Sequence, residues 1–570
     1  MNMCGIFALL NASYENNSLE SEKKMIEQFE KGKRRGPENS TLQSHYLQLT
    51  LGFHRLAING LNEASNQPLV FENIVLICNG EIYNYKNLYQ QMGSQHTTNS
   101  DCEVIIHLYI KYGIEQTLVM LDGVYAFVLF DITQNKIFVA RDPIGVRPLY
   151  KLYNNNNNNN LYGFASELKC LEYFYNLNPA ENHLEQFEPG TYSVFSYIKT
   201  QWEQIVTNKV YYIPTFSYIN YTSGQDTYNI SHYLYSAVLK RCNTTERPVA
   251  CLLSGGLDSS LVAALVSKWF KLKNNKLKLL ETYSIGLQNS EDIKYARIVA
   301  DHIGSKHTEI IVTEREMFDA IPEVIKAIES YDTTTVRASI GNYLLGKYIS
   351  THSEAKVIFN GDGADELFGG YLYMYNCLDD IEYDKETRRL LKDIHMFDVL
   401  RSDKSISSNG LEPRTPFLDK TFVNYVLSIP SNVRNHNNFR KHNNSGNEIS
   451  RKPEKYLLRE SFSEFTDDNG KPILPNEILW RKKEAFSDGV SSRGRSLFEI
   501  LQEFIAEYYN NLQQNKESKD FIPSIELEKQ YYKSIFDKEF PNCQHILPYY
   551  WMPKYTNTTD PSARTLANYK

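Results

Sequence analysis

Three places along this chain carry residue types at spacings that can do chemistry. Ser254-Gly255-Gly256-Leu257-Asp258-Ser259-Ser260 follows at once on the apolar run Pro248-Val249-Ala250-Cys251-Leu252-Leu253 and opens an apolar helical stretch from Leu261. Two glycines let a backbone approach an anion closely, and a turn leading into a helix supplies N–H donors at the positive dipole end. This is a phosphate cradle, although strand, glycines and helix also make an ordinary structural turn. It has neither the Lys of a Walker loop nor a G-x-G-x-x-G pattern, so the charge balancing phosphate has to come from elsewhere. A second Gly-rich run, Asn360-Gly361-Asp362-Gly363-Ala364-Asp365-Glu366, follows an apolar strand at 356–359. Loops at the carboxyl ends of neighbouring parallel strands share one crevice, so the two runs can face each other across a ligand. Read alone, the second is also an acidic surface turn. The third place is Cys4, which in isolation is a small buried hydrophobe more often than a nucleophile.

The elements that must position these residues differ between the two halves. Residues 4 to about 195 hold short strand-like runs, at 74–78, 123–130, 136–140 and 161–165, which predicts stacked sheets with few helices. The first ten residues, with no charged leader or cleavage site, read as a strand. The asparagine run at 154–160 lies between strand-like runs at 149–153 and 161–165 and reads as a solvated loop tip. From about residue 229, apolar strands alternate with helical stretches, beginning with 249–253 and 259–269, the pattern of a parallel α/β sheet. A polar, Tyr- and Thr-rich stretch near 200–228 reads as the linker, and an Asn- and His-rich insertion at 435–450 as an exposed loop.

Composition narrows the classes. At 570 residues the chain exceeds what one hydrophobic core supports, so two domains or more are expected. The apolar share of 42% and charged share of 23% are those of an ordinary soluble globular protein. No window approaches the roughly 20 apolar residues of a membrane helix. The 61 basic and 68 acidic residues, net charge -7, are spread without a basic arm, which argues against a nucleic-acid partner. Eight cysteines without a C-x-x-C pair give neither a disulfide framework nor a zinc site, and a reducing, cytoplasmic setting follows.

Taken whole, S-G-G-x-D-S resembles the pyrophosphate loop of ATP pyrophosphatases, which cleave ATP between its α and β phosphates. Asp258 then reads as a magnesium ligand, with Asp365 as the second, since a hard cation on phosphates takes one or two carboxylates. Cys4-Gly5-Ile6-Phe7, Arg35-Gly36-Pro37-Glu38, His54-Arg55-Leu56, Asn79-Gly80-Glu81-Ile82-Tyr83-Asn84-Tyr85 and Ser100-Asp101-Cys102-Glu103 stand in the order and spacing of class II glutamine amidotransferases. With the two loops behind them, the chain resembles the glutamine-hydrolysing asparagine synthetases. The likeness runs from Cys4 to the tail segments Tyr549-Tyr550-Trp551-Met552-Pro553 and Asp560-Pro561-Ser562-Ala563-Arg564.

That resemblance implies α+β followed by α/β: an N-terminal-nucleophile αββα glutaminase domain at 4–200, a linker at 201–228, a parallel-sheet synthetase domain at 229–555 and a tail at 556–570. It implies Cys4 as nucleophile and a glutamine site made of Arg55, Leu56, Ala57, Ile58, Asn59, Asn79, Gly80, Glu81 and Asp101. Arg55 would grip the substrate carboxylate as a planar fork and Glu81 with Asp101 would receive its amino group. Asn79 and the Gly80 N–H would form the oxyanion hole. An N-terminal cysteine carries its own base, because an α-amine titrates near 8. For ATP the resemblance points to Leu253, Ser254, Gly255, Gly256, Leu257, Asp258, Ser259, Ser260, Ile285, Gly286, Asn360, Gly361 and Lys483. Thr334, Thr335 and Arg337 would form the aspartate pocket, and Asp362 would assist amide formation. By the same resemblance Lys483 would be the lysine that neutralises the phosphates, the cation the first loop lacks.

Three positions depart from the family pattern. Met1-Asn2-Met3 precede Cys4 where the family has Cys second, so an active mature chain is expected to begin at Cys4. Asp362 stands where Glu is common, and Glu38 where Asp is usual. The implied reaction joins ATP, aspartate, glutamine and water to give asparagine, AMP, pyrophosphate and glutamate, through a β-aspartyl-adenylate met by ammonia that crosses between the domains. ATP is substrate, Mg2+ the cofactor and the partners small molecules, with the oligomeric state left open, a homodimer included. A paralogue amidating another acid is the enzyme rival, against which the motif from Tyr331 to Ser339 argues. A silent nucleotide- or glutamine-binding scaffold would show degenerate motifs, and tRNA modification would show a basic surface.

Overall fold

A computed structural model describes residues 4–12, 19–45, 47–154, 160–214, 224–273, 278–437, 452–492, 494–512, 521–567 and 569. The N-terminal half contributes strands β1 (Gly5–Leu10), β2 (Asn39–His45), β3 (Leu49–Arg55), β4 (Leu69–Phe71), β5 (Ile74–Ile82), β6 (Gly123–Asp131), β7 (Lys136–Arg141), β8 (Tyr150–Asn154), β9 (Tyr162–Ala165), β10 (Asn182–Gln186), β11 (Thr191–Ile198) and β12 (Gln201–Val210). They form two antiparallel sheets, ordered β10-β8-β9-β1-β3-β2 and β12-β11-β7-β6-β5-β4. Alternating side chains serve different layers, as the pleat requires. Ile6, Ala8 and Leu10 of β1 meet Val75 and Ile77 of β5 between the sheets, whereas Phe7 and Leu9 face the helix Leu19–Glu30 through Met25 and Phe29. Leu76 and Cys78 face the helices Tyr85–Met92 and Val104–Met120. Burial on both faces is why these strands read as unbroken apolar runs and why the domain is a four-layered αββα sandwich.

The second half holds a five-stranded parallel sheet, β15-β14-β13-β16-β17, made of β13 (Val249–Leu252), β14 (Glu281–Gly286), β15 (Lys306–Ile311), β16 (Val357–Phe359) and β17 (Glu412–Arg414). The chain winds outward through β14 and β15, then returns to the other side of β13 as β16. That reversal opens a crevice at the carboxyl ends of β13 and β16, where both Gly-rich runs begin.

Two expectations from the sequence change. Gln201–Val210, expected as the start of the linker, is the edge strand β12 paired with β11, and its Trp202 is buried with the indole N–H donating to the Leu47 carbonyl at 2.7 Å. An edge strand solvated on one face is polar enough to pass for linker. Asn435 and His436, expected in an exposed insertion, are buried, and the Asn435 amide donates to Asp380 at 2.8 Å. The remainder of that insertion from 438 and the asparagines at 155–159 lie outside the described residues, while the flanking β8 and β9 pair as a hairpin. Among the described residues no helix is long and apolar enough to cross a membrane.

Candidate active sites

Behind β13 the chain turns through Ser254 to Gly256 and opens the helix Leu257–Lys273. Gly255 has φ +74°, and a Cβ there would run into the Ala296 backbone, so only glycine makes this turn against the helix Glu291–Ile303. Ser259 Oγ ties the turn back by accepting the Ser254 N–H at 3.2 Å. Behind β16, the Asn360 N–H donates to the Arg414 carbonyl of β17 at 3.1 Å, and the Asn360 amide to Ser402 Oγ at 2.6 Å. A Cβ on Gly361 would lie 2.7 Å from the Ser259 nitrogen. The two loops therefore touch, as their places on adjacent strands predict.

They enclose a cavity of about 200 Å³ lined also by Leu253, Ile285, Thr334, Lys455 and Lys483. Gly255, Ser260 and Gly286 are buried behind this lining. Lys455 Nζ sits between the two carboxylates expected to hold metal, 2.6 and 2.8 Å from the oxygens of Asp258 and 2.7 Å from Asp365. Lys483 donates to the second oxygen of Asp365. Burial alone would raise the Asp365 carboxyl, but Lys455 and Lys483 outweigh it and hold it well below the ordinary range. Lys455 is itself buried and has φ +54°, an unfavourable backbone for a non-glycine residue, so the surrounding structure fixes its position. Asp258 and Asp365 thus reach one cationic point from two loops, a donor pair that fits a hard cation bound to phosphates.

Asp362 accepts from Arg401 at 3.0 Å, and burial raises its carboxyl in spite of that guanidinium. Arg401 also holds Asp398 at 2.7 Å. Glu366, which accepts the Tyr371 hydroxyl at 2.6 Å, is pushed well above its ordinary value by burial and by Asp398.

Of the expected aspartate pocket, only Thr334 faces the cavity, and its buried hydroxyl has no hydrogen-bond partner among the described residues. Thr335 is turned away, its N–H and hydroxyl both donating to Asp332, which caps the helix Thr333–His352, at 2.9 and 2.7 Å. Arg337 does not enter the cavity. Its guanidinium is spent on Glu528 at 2.8 and 2.6 Å and on Asp560 at 2.8 Å twice, all three residues buried. In sequence it shares a short motif with Thr334; in the helix it lies three residues on, facing the C-terminal region.

In the N-terminal half, Cys4 precedes β1, with Sγ 3.3 Å from the Leu56 carbonyl and 3.4 Å from the Leu56 nitrogen. Arg35 Nε donates to the Cys4 carbonyl at 3.0 Å while its Nη1 meets Glu167 and Asp403. Burial pushes the Cys4 thiol up to about 12, so at neutral pH it needs a base. Residues 1–3 lie outside the described residues. The Asn59 amide donates to Glu81 at 2.7 Å and to Asp101 at 3.4 Å, gathering the two acids expected at the substrate amino group. Burial pushes Asp101 up to about 6; burial with Asp101 nearby carries Glu81 well above its ordinary value. Asn79, on β5, donates to Ser166 Oγ at 3.3 Å, and the same oxygen accepts the Ile6 N–H at 3.1 Å, tying the expected oxyanion amide to the strand that Cys4 precedes. Gly80 follows it in β5, paired with Tyr125. Arg55 is turned into its own loop, donating to Asn62 at 3.0 Å, to Asn66 at 2.6 Å and to the Gly60 carbonyl, bonds it must loosen to meet a carboxylate.

A glutamine amidotransferase domain family matches residues 3–234, and an asparagine synthase family matches 229–386 and 379–552. Asparagine synthetase [glutamine-hydrolyzing] of Gallus gallus is 42% identical over 591 aligned positions, covering 100% of this chain and 99% of that protein. The protein of the same name from Homo sapiens is 38% identical with the same coverage. The chain belongs to the glutamine-hydrolysing asparagine synthetases.

Within this synthetase, several residues at the candidate sites give no signal in the sequence. Lys455, in Pro453-Glu454-Lys455-Tyr456 behind a polar insertion, has no spacing that marks it. Arg401 lies in a helix, Asp398–Ser407, whose pattern only announces burial. Arg414 ends β17, 3.3 Å from Glu81 of the other half, a contact only the fold creates. Arg35 opens the Arg35-Gly36-Pro37-Glu38 motif, but its hold on the Cys4 carbonyl was not legible.

Proposed function

We propose that the chain makes asparagine from aspartate, ATP, glutamine and water through a β-aspartyl-adenylate, releasing AMP, diphosphate and glutamate. The observation that carries this is the meeting of the two Gly-rich loops around Lys455, with Asp258 and Asp365 on either side. N–H groups of the first loop cradle the phosphates, and Lys455 and Lys483 neutralise them. Asp258 and Asp365 would hold Mg2+, which supplies further charge neutralisation for the leaving diphosphate. Thr334 offers its free hydroxyl to aspartate, and Asp362 takes a proton from ammonia attacking the adenylate. Its shorter side chain is placed by Arg401.

In the glutaminase half, Cys4 attacks the side-chain carbonyl of glutamine, with its own α-amine as base and Asn79 and the Gly80 N–H receiving the oxyanion. This requires Cys4 to be the first residue of the mature chain. All eight cysteines are free thiols, as suits a cytoplasmic enzyme. Cys4→Ala should end glutamine hydrolysis while ammonia supplied directly still yields asparagine and AMP. Loss of ammonia-dependent synthesis in that variant, or ordinary hydrolysis by protein whose intact mass retains Met1-Asn2-Met3, would refute the division of labour or the amine mechanism respectively.

A further inference from the structure

The backbone that presents the glutamine-binding residues is held from the synthetase half of the chain. The Ala57 N–H donates to Glu38 Oε2 at 2.7 Å, and the Ala57 carbonyl accepts from Arg247 Nε at 2.8 Å. Arg247 Nη2 closes the circuit on Glu38 Oε1 at 2.9 Å. One residue further, the Ile58 carbonyl accepts the Glu246 N–H at 3.0 Å, and Glu246 Oε1 in turn accepts the Gly60 N–H at 2.8 Å. The Asn59 amide that bridges Glu81 and Asp101 also donates to the Thr244 carbonyl at 3.2 Å. Gly60, fixed in this way, offers the carbonyl that holds Arg55.

Residues 244–247 lie between the helix Asp226–Asn243 and β13, the strand that delivers the phosphate loop. The neighbouring Pro248 carbonyl accepts the Lys356 N–H at 3.1 Å, just before β16. The template for the glutamine loop is therefore continuous with the two strands that carry the nucleotide loops.

We infer that Glu246 and Arg247, with Glu38 as the counter-charge across the domain boundary, are positioning residues for glutamine: they fix the peptide from Ala57 to Gly60, and through it Asn59 and Arg55. The inference rests on residues 55–59 being the glutamine loop. It also accounts for Glu38, whose one carboxylate oxygen holds the loop while the other holds the synthetase half. Glu38 and Arg247 are 24% and 28% exposed, so solvent screens the ion pair and the hydrogen bonds to backbone carry most of the effect.

The test uses the full-length enzyme and separates binding from turnover. Arg247→Met and Glu246→Ala should each raise KM for glutamine about threefold to tenfold, the loss of one or two charge-assisted hydrogen bonds, with kcat for hydrolysis within about twofold of wild type. Ammonia-dependent asparagine formation should stay at the wild-type rate. Arg247→Lys retains the charge and should recover part of the KM. Glu38→Gln should show the same shift, and combining it with Arg247→Met should add little, because both break one circuit. Arg55→Met is measured alongside. If Arg55→Met raises KM while Arg247→Met, Glu246→Ala and Glu38→Gln all stay within about twofold of wild type, the positioning role is overturned and the glutamine loop stands. If Arg55→Met leaves KM unchanged, the loop assignment fails and the inference fails with it. Should Arg247→Met lose ammonia-dependent synthesis through misfolding, Glu246→Ala and Glu38→Gln decide the question on the same KM readout.

Discussion

Replacing Lys455 by Met removes the cation between Asp258 and Asp365 while keeping the length and apolar stem of the side chain. Its Nζ lies 2.6 Å from Asp258 and 2.7 Å from Asp365. Unit charges so placed attract by about 6 kcal/mol per pair at an effective dielectric of about 20, before desolvation. Lys455 is 2% exposed and its partners about a fifth exposed, so desolvation and screening take back much of this. What remains is about 3 kcal/mol, the lower end of what breaking a buried ion pair costs. Most of that contribution is transferred to the phosphates when ATP is bound, so kcat/KM for aspartate-dependent pyrophosphate release should fall about 10²-fold. Glutamine hydrolysis, measured as glutamate release without ATP, should change less than about twofold. The variant also tests the metal assignment without turnover. With Lys455 gone, Asp258 and Asp365 lose the cation between them and only Lys483 remains on Asp365, so Mg2+ should raise the Tm of Lys455→Met more than that of wild type. Pyrophosphate release near the wild-type rate would refute the charge argument, and an equal Mg2+ effect on both proteins would remove Asp258 and Asp365 as metal carboxylates.

Asp362→Asn should lower asparagine formation by roughly 10²- to 10⁴-fold, the effect of a lost general base, with ATP affinity by equilibrium binding unchanged; full activity would make the carboxylate structural. Glutamine hydrolysis should rise with pH and level off above about 8, because the α-amine of a mature Cys4 must lose its proton before it can take one from the thiol. A rise continuing beyond about pH 10 would instead report direct ionisation of a thiol that burial pushes up to about 12. Arg337→Met leaves Glu528 and Asp560 buried without their cation and should cost about 3–5 kcal/mol of stability by denaturant unfolding. If Arg337→Lys instead raises KM for aspartate with Tm unchanged, the guanidinium serves substrate and the ion-pair account is wrong.

The meeting of the two loops is legible because each is contiguous: strand, glycines and acid lie within a dozen residues, and parallel topology dictates that neighbouring loops meet. Cys4, Asn79, Glu81 and Asp101 stand out as candidates through motif order. What stayed hidden depends on pairing across long separations. Lys455 reaches Asp258 across 197 positions, and Arg337 reaches Glu528 across 191. A single Lys or Arg has no period to betray its partner, so the sequence groups Arg337 with its neighbour Thr334 while the helix turns it to another face. β12 reads as linker for the complementary reason: its polar residues report solvent on one face, and only its pairing with β11 makes it a strand.

The interface between the halves is itself built of charges taken out of water. Arg35 meets Glu167 and Asp403, Arg147 meets Asp403 and Glu412, and Arg414 meets Glu412 and Glu81, every one of these side chains at most 5% exposed. Such pairs contribute little net stability, because desolvation offsets much of the attraction, yet removing one partner leaves a buried charge uncompensated. Parting the domains would do this to several pairs at once, so the network favours one relative placement far more than it favours folding. That placement matters to both sites. Arg35 holds the Cys4 carbonyl, and Arg414 grips Glu81 through its side chain while its carbonyl holds Asn360 of the nucleotide loop. A shift of the synthetase sheet relative to the sandwich would move Cys4, Glu81 and the Asn360 loop together. The same buried pairs that fix the interface therefore keep the two candidate sites in register.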